Sequence, residues 1–429
     1  MKLRDVYRYM TRFRDRRVPG QLVIQITNRC NALCPQCGMR ITEPFRRADL
    51  SIDDVRRILD TAALKGIEIV SFTGGEPLLF PDELRTLIEH AGSVGIKHIR
   101  TGTNGFLFRN GSGASRASKV ERLAESLART PLRNFWISID SAIPAVHESM
   151  RGFPGVIAGI EEALPIFHRY GIYPSANVGI NRNIGGAETR TLERASFPTE
   201  DVYLNAFRDA FKRSLENFYR FVADLGFTMV STCYPMSIGE DKPKENLHAV
   251  YGATSQDPLV RFDREEKAIL FKTLLETLPQ FRSRIRVFSP GCSLYALHRQ
   301  YASNCTTSYP CRGGIDFFFI DARSGDTYPC GYRGSENLGR FWNLAMESIE
   351  AASPCTRCEW ECFRDPSELF GPFLQGFRAP LTLLSRFSGD RRYFRLWLDD
   401  LRYYRACEMF DGRKPPDFEK LRRFGSRAF

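Results

Sequence analysis

The chain has 429 residues, 43% of them hydrophobic and 26% charged, which suits a globular protein of two or three domains with sizeable cores. No apolar run approaches the roughly 18 residues of a membrane span and no signal-peptide core follows the start, so the expected location is cytoplasmic. The net charge of +11 sits at the ends: residues 1–20 hold 7 Lys/Arg against 2 Asp, and residues 366–429 hold 13 against 8 Asp/Glu. The body is left near neutral, which weighs against a dedicated nucleic-acid-binding domain.

In chain order, "GQLVIQITN" reads as a buried strand ending at a cysteine-bearing loop. Ser51 opens a helix with Asp54 as its capping-box partner, and Val55, Ile58, Leu59 and Ala62 form its apolar stripe up to Gly66. "IEIVSFTGG" is a second strand, followed by a helix from Pro81 with Leu84, Leu87, Ile88 and Ala91 on one face. The alternation continues through "KHIRTGTNG", a helix near 116–129, "NFWISID", a helix over 155–170, "YPSANVGIN", a helix near 201–225 and "FTMVSTCYP". Six strand–helix alternations predict an α/β fold of parallel strands with right-handed crossovers, either a doubly wound sheet or a partial (β/α)6 barrel of TIM type. The residues with chemical potential fall at the carboxyl ends of the strands, where such folds build active sites. Residues 184–200 read as a long loop beside that face. The expected divisions are a basic N-terminal helix over 1–20, the barrel over 21–285, a small cysteine-rich domain over 290–365, and a basic aromatic helical tail over 366–429.

The 12 cysteines are unevenly placed: three at 30–37, seven at 292–362, and only Cys233 and Cys407 apart. In a reducing compartment such clusters argue for metal or catalysis over disulfides. Cys30, Cys34 and Cys37 form C-x3-C-x2-C with no fourth cysteine or histidine nearby. Structural zinc usually takes paired C-x2-C knuckles or histidines, and a redox pair of Cys34 and Cys37 leaves Cys30 unexplained. Three thiolates on one loop hold three irons of a cube and leave the fourth iron open to another ligand.

This motif after a first strand, with "TGGEP" ending the second, resembles the radical S-adenosylmethionine (radical SAM) superfamily. The resemblance implies a catalytic [4Fe–4S] cluster on Cys30, Cys34 and Cys37, with S-adenosylmethionine chelating the open iron. It further implies reductive cleavage of that cofactor to a 5′-deoxyadenosyl radical, which takes hydrogen from a substrate, and an electron donor such as flavodoxin or ferredoxin. By the same resemblance Gly74, Gly75, Glu76 and Pro77 meet the cofactor's amino group, Ser138 and Asp140 its ribose, and Arg151 its carboxylate. Ser138 and Asp140 alternate onto one face of the fourth strand. Asn104 and Asn181 close the third and fifth strands, where polar side chains are expected to face the pocket.

Cys311, Gly325 and Cys330 form C-x13-G-x4-C, and Cys355, Cys358 and Cys362 form C-x2-C-x3-C. These elements are similar to the SPASM/Twitch extensions of radical SAM enzymes, which bind auxiliary [4Fe–4S] clusters. The downstream spacing is shorter than the full SPASM pattern, so the expected arrangement is one auxiliary cluster on Cys311, Cys330, Cys355 and Cys358. A second cluster and a zinc ribbon stay open as alternatives. Cys305 has a counterpart among SPASM relatives, Cys362 stands as a substitute ligand, and Cys292 has no assigned role.

Cys233 ends the sixth strand, where packing is favoured over hydrogen donation to a substrate radical. His147 reads as structural. Phe394, Trp397, Leu398, Leu401 and Tyr404 share a helical face flanked by Arg391, Arg392, Arg395 and Arg402, and Leu3, Val6, Tyr7, Met10 and Phe13 repeat the pattern at the N-terminus. Both stripes are expected to dock on the protein's own body; the alternative is peripheral contact with the inner face of an anionic membrane, suited to a lipid substrate. The expected substrate is a small metabolite or lipid, with no nucleic acid. The first strand begins near residue 21, which lowers the reading of a peptide maturase, since that would need a separate leader-binding partner. The rival from another class is a non-enzymatic iron–sulfur or zinc scaffold.

Overall fold

The computed structural model describes residues 3–109, 113–235, 250, 257–303, 309–346, 355–356 and 358–425. Its framework is one sheet of nine strands among the described residues, in the order β7-β6-β5-β4-β3-β2-β1-β8-β9. The strands are β1 (Gly20–Thr27), β2 (Ile67–Gly74), β3 (His98–Thr103), β4 (Leu132–Ser138), β5 (Ser175–Gly179), β6 (Met229–Cys233), β7 (Arg286–Phe288), β8 (Phe317–Ile320) and β9 (Thr327–Tyr328). Every neighbouring pair is parallel except β8 with β9. The sheet is open, with β7 and β9 as its edges, and forms a partial TIM-type barrel.

The helices are α1 (Leu3–Arg14), α2 (Ile52–Leu64), α3 (Pro81–Ser93), α4 (Gly113–Ala128), α5 (Pro144–Arg151), α6 (Val156–Arg169), α7 (Ala187–Arg190) and α8 (Glu200–Asp224). They continue as α9 (Arg264–Thr277), α10 (Gly291–Ser303), α11 (Glu361–Arg378), α12 (Pro380–Gly389), α13 (Arg391–Ala406) and α14 (Phe418–Arg422). The predicted apolar stripes of α2 and α3 are all buried, and the Ser51 hydroxyl accepts from the Asp54 N–H at 3.1 Å, as an N-cap should.

Strand alternation divides the sheet into two faces. Leu22, Ile24, Phe72, Ile99, Phe135, Ile137 and Val178 are buried in the main core with the helix stripes. Their neighbours Arg100, Trp136, Ser138, Asn177, Ser231, Cys233 and Phe288 are only half-buried and line the inner face.

Four features depart from the sequence expectation. An additional short helix, α5, precedes α6 and carries His147 and Arg151. Residues 290–365 join the barrel sheet: β8 pairs with β1 from Gln21↔Phe317 to Ile24↔Ile320. The run "FFFI" is buried on both faces, with Phe318 and Ile320 in the main core and Phe317 and Phe319 in a second core with Trp360 and Phe363. The segment 184–200 includes α7 and a short 3-10 turn, Arg194–Ser196. The helical tail starts at Glu361.

The aromatic stripe of α13 docks on the protein itself. Trp397 and Tyr404 are buried, the Trp397 indole N–H donates to the Leu369 carbonyl at 2.9 Å, and Tyr404 packs edge-on against Phe410. Phe394, Leu398 and Leu401 of the same stripe are half-buried. On α1, Phe13 stacks on Phe373 at 5.4 Å, whereas Tyr7 and Met10 are exposed; the side chains of Leu3 and Val6 lie outside the described set. Among the described residues no helix is long and apolar enough to cross a membrane.

Candidate active site

The cysteine loop leaves the carboxyl end of β1. Cys34 is buried, Cys30 and Cys37 are half-buried, and a turn bond from the Cys37 N–H to the Cys34 carbonyl (3.1 Å) sets the last two thiols. Burial pushes the Cys34 thiol up to about 12, with Asp140, Cys37 and Cys30 adding to the rise against the opposing charge of Arg151. Burial likewise pushes Cys37 up to about 11, with Cys30 raising it further. The three thiols are thus gathered in one desolvated place beside a guanidinium, and bound iron would supply the positive charge that makes them thiolates.

The "GGEP" turn at the end of β2 is clamped to this loop by backbone. The Gly75 N–H donates to the Thr27 carbonyl (2.9 Å) and the Glu76 N–H to the Arg29 carbonyl (2.8 Å). A Cβ on Gly75 would stand 1.9 Å from the Arg29 oxygen, so close approach requires glycine there. Gly75→Ala is expected to destabilise the protein by about 3 kcal/mol or more, read as a lowered urea midpoint at unchanged slope.

Glu76 is wholly buried, and its carboxylate accepts from the Leu78 N–H (2.9 Å) and the Asn104 N–H (2.6 Å). Burial raises it to about 7 against those bonds. The side chain therefore ties the end of β2 to the end of β3, and Pro77 starts the short turn beneath it. Asn104 continues the link: its amide donates to Asn31 Oδ1 at 2.9 Å and approaches Cys30 Sγ at 3.7 Å. Asn181, expected to face the pocket, is wholly buried; it donates to the carbonyls of Asp140 (3.2 Å) and Gly179 (2.7 Å).

Asp140 and Arg151 pair with each other. Arg151 Nε lies 2.7 Å from Oδ2 and Nη2 lies 3.0 Å from Oδ1, a bidentate fork in which both residues are buried. Burial alone would raise the Asp140 carboxyl, but the Arg151 charge holds it well below the usual carboxylate range. His147 Nδ1 accepts the Asp140 N–H at 3.0 Å, the structural role its sequence position suggests. The Arg151 carbonyl accepts from the Leu33 N–H at 3.1 Å, so the pair is built into the cysteine loop itself. Ser138 sits half-buried on the inner face beside Asn177.

The second cysteine group also assembles. Cys311 and Cys355 form a backbone bridge (2.9 Å), and Cys311, Cys330, Cys355 and Cys358 line one small pocket with Gly313, Arg333, Trp360 and Phe363. Among the described residues no three His, Cys, Asp or Glu side chains converge as ligands of a single metal ion. The donor chemistry and the enclosure fit a cube.

The remaining thiols separate from this pocket. Cys362 lies one helical turn on, facing Cys233, Glu361 and Arg100 across the inner face of the barrel. Cys292 is buried beside Asp400 and Cys407 beside Tyr403, both as packing residues. Cys305 lies outside the described residues. Sequence reasoning passed over Arg100 and Glu361; the available signal was a charge at an inward position of an otherwise apolar strand, in "HIRTGT".

Residues 24–191 match the family model of the Radical SAM superfamily. The chain is 31% identical over 150 residues to the GTP 3',8-cyclase of Mannheimia succiniciproducens, covering 34% of this chain and 41% of that protein. It is 27% identical over 147 residues to the AdoMet-dependent heme synthase of Methanosarcina barkeri, covering 33% of this chain and 38% of that one. The chain thus spans about two fifths of the length of these curated relatives. The crystal structure of Streptococcus suis SuiB bound to S-adenosylmethionine shares the fold with a TM-score of 0.51 at 15% identity, covering 88% of this chain and 72% of that one.

Proposed function

We propose that this protein is a radical SAM enzyme with one auxiliary iron–sulfur cluster. The observation that carries the reading is the gathering of Cys30, Cys34 and Cys37 in one desolvated loop, clamped by the "GGEP" turn and flanked by the Asp140–Arg151 pair. These three cysteines hold the catalytic [4Fe–4S] cluster. The "GGEP" backbone, Ser138 and the Arg151 guanidinium form the seat for S-adenosylmethionine, with Glu76, Asn104, Asp140 and Asn181 fixing those groups from behind. Once bound and reduced by one electron from a flavodoxin- or ferredoxin-type donor, this cofactor supplies the 5′-deoxyadenosyl radical that takes hydrogen from substrate. Cys311, Cys330, Cys355 and Cys358 hold the auxiliary cluster at the β8–β9 edge of the same sheet.

Anaerobic reconstitution tests the proposal. About eight irons and about eight sulfides per chain are expected, together with 5′-deoxyadenosine formed from S-adenosylmethionine and dithionite. Stoichiometric zinc without any nucleoside product would show a scaffold instead. The auxiliary assignment has its own check: Cys358→Ala is expected to remove about four irons per chain, and Cys362→Ala none. Equal iron loss in both variants would place Cys362 among the ligands.

A further inference from the structure

The inner face of the barrel holds an arginine, Arg100, that has no ion-pair partner among the described residues. Arg100 lies on β3 between Ile99 and Thr101, both fully buried on the outer side, so its side chain projects inward. Its guanidinium stands 5.9 Å from the ring centre of Trp136 and 5.5 Å from that of Phe288. Among the described residues it makes no hydrogen bond and no ion pair. Arg151, Arg182, Arg282 and Arg364 are ion-paired with Asp140, Glu266, Asp400 and Glu368, and the buried Arg286 is met by the Thr228 hydroxyl and by the Thr228 and Asp411 carbonyls.

The polar groups nearest Arg100 make no hydrogen bond or ion pair with it. They are Cys362, Cys233 and Glu361. Burial pushes both thiols well up and raises the Glu361 carboxyl, whose oxygens are engaged with the Tyr234 N–H (3.3 Å) and the Cys362 thiol (3.5 Å). A guanidinium cannot shed its proton to escape desolvation, so an anion is what completes it.

We propose that Arg100 is the substrate-binding residue of this enzyme and that it takes a carboxylate, so that the substrate is a carboxylic acid. A single cation with a planar fork matches a single negative charge in bidentate geometry, and the Trp136 and Phe288 rings flank it. Asn104 follows the last residue of β3, four positions beyond Arg100, a rise of about 13 Å along the chain. A molecule anchored at Arg100 therefore extends along the inner face toward the cysteine loop, past Ser138, Asn177 and Cys233. This rests on the radical SAM reading of that loop, which locates the reacting carbon at the strand-end side.

The test titrates the reconstituted full chain with acetate, benzoate and hexanoate at fixed ionic strength, each against its primary amide, and with inorganic phosphate, read by calorimetry and tryptophan fluorescence. At least one carboxylate is expected to saturate at one per chain, with its amide about tenfold weaker or more. Arg100→Gln should weaken that carboxylate by about tenfold or more, and Arg100→Lys by less, because the charge stays while the fork is lost. Absence of saturable binding, an amide as tight as its acid, or phosphate bound more tightly in an Arg100-dependent way would each overturn the assignment. The acid–amide comparison needs no variant and stands even if Arg100→Gln fails to fold. Failure of the radical SAM reading has a separate signature, the absence of 5′-deoxyadenosine from the wild-type protein.

Discussion

Cys34→Ala is expected to abolish 5′-deoxyadenosine formation and to lower bound iron from about eight to about four per chain. Cys34 is the most enclosed of the three loop thiols, and its neighbours offer no substitute: Pro35 and Gln36 follow it, and no histidine lies within the loop. In the proposed cluster, removing one of three thiolates would leave two iron corners without protein ligands. The auxiliary iron should survive, because Cys311, Cys330, Cys355 and Cys358 enclose a separate pocket in the second core. The measurement is iron content with low-temperature electron paramagnetic resonance of the dithionite-reduced variant, alongside chromatographic assay of the nucleoside. Turnover at the wild-type rate would mean that the radical chemistry is housed elsewhere, and loss of all eight irons would mean that the two sites do not fold independently.

The six strands of the barrel are legible in the sequence because each is a short apolar run followed by a helix of clear 3.6-residue periodicity. What the sequence hides is pairing at a distance. β8 is four residues long and sits among glycines and cysteines, yet it joins β1 from nearly 300 positions away; local composition reads as a separate domain, whereas burial on both faces makes it part of the sheet. Helix α5 is hidden for another reason: at eight residues it is too short to show a stripe, and its burial comes from His147 and Arg151 as well as Met150. The cysteine motifs are legible because spacing alone carries them. The polar residues around them are less so. Glu76 and Asn181 look like pocket-facing groups at strand ends, but a fully buried carboxylate or amide binds the nearest backbone partners, and those lie in the adjoining turns. Arg100 shows the opposite case, a charge whose significance lies in the absence of a partner, which only the tertiary structure reveals.

Arg151→Met is expected to cost about 3–5 kcal/mol of stability, because it leaves the Asp140 carboxylate buried without its counter-charge. Asp140 is 2% exposed and keeps only the weaker company of His147, whose Nδ1 lies 3.5 Å from Oδ2. Replacing both members, as Asp140→Asn with Arg151→Met, should recover much of that loss, since the larger part of the cost is the stranded charge and not the absent contact. The pH dependence distinguishes this cause from simple loss of packing. In the wild type the Asp140 carboxyl is held low, so its contribution is present above the unfolded value of about 4 and is lost only as the pH falls below it. In Arg151→Met burial is opposed only by His147, and the folded value is expected to rise above the unfolded one. The folded variant then binds more protons than the unfolded chain, and its stability falls as the pH rises through that raised value. Urea unfolding of wild type and variant at pH 6, 7 and 8 should therefore show a gap that widens with pH, whereas a gap constant across the range would assign the effect to packing around the guanidinium stem.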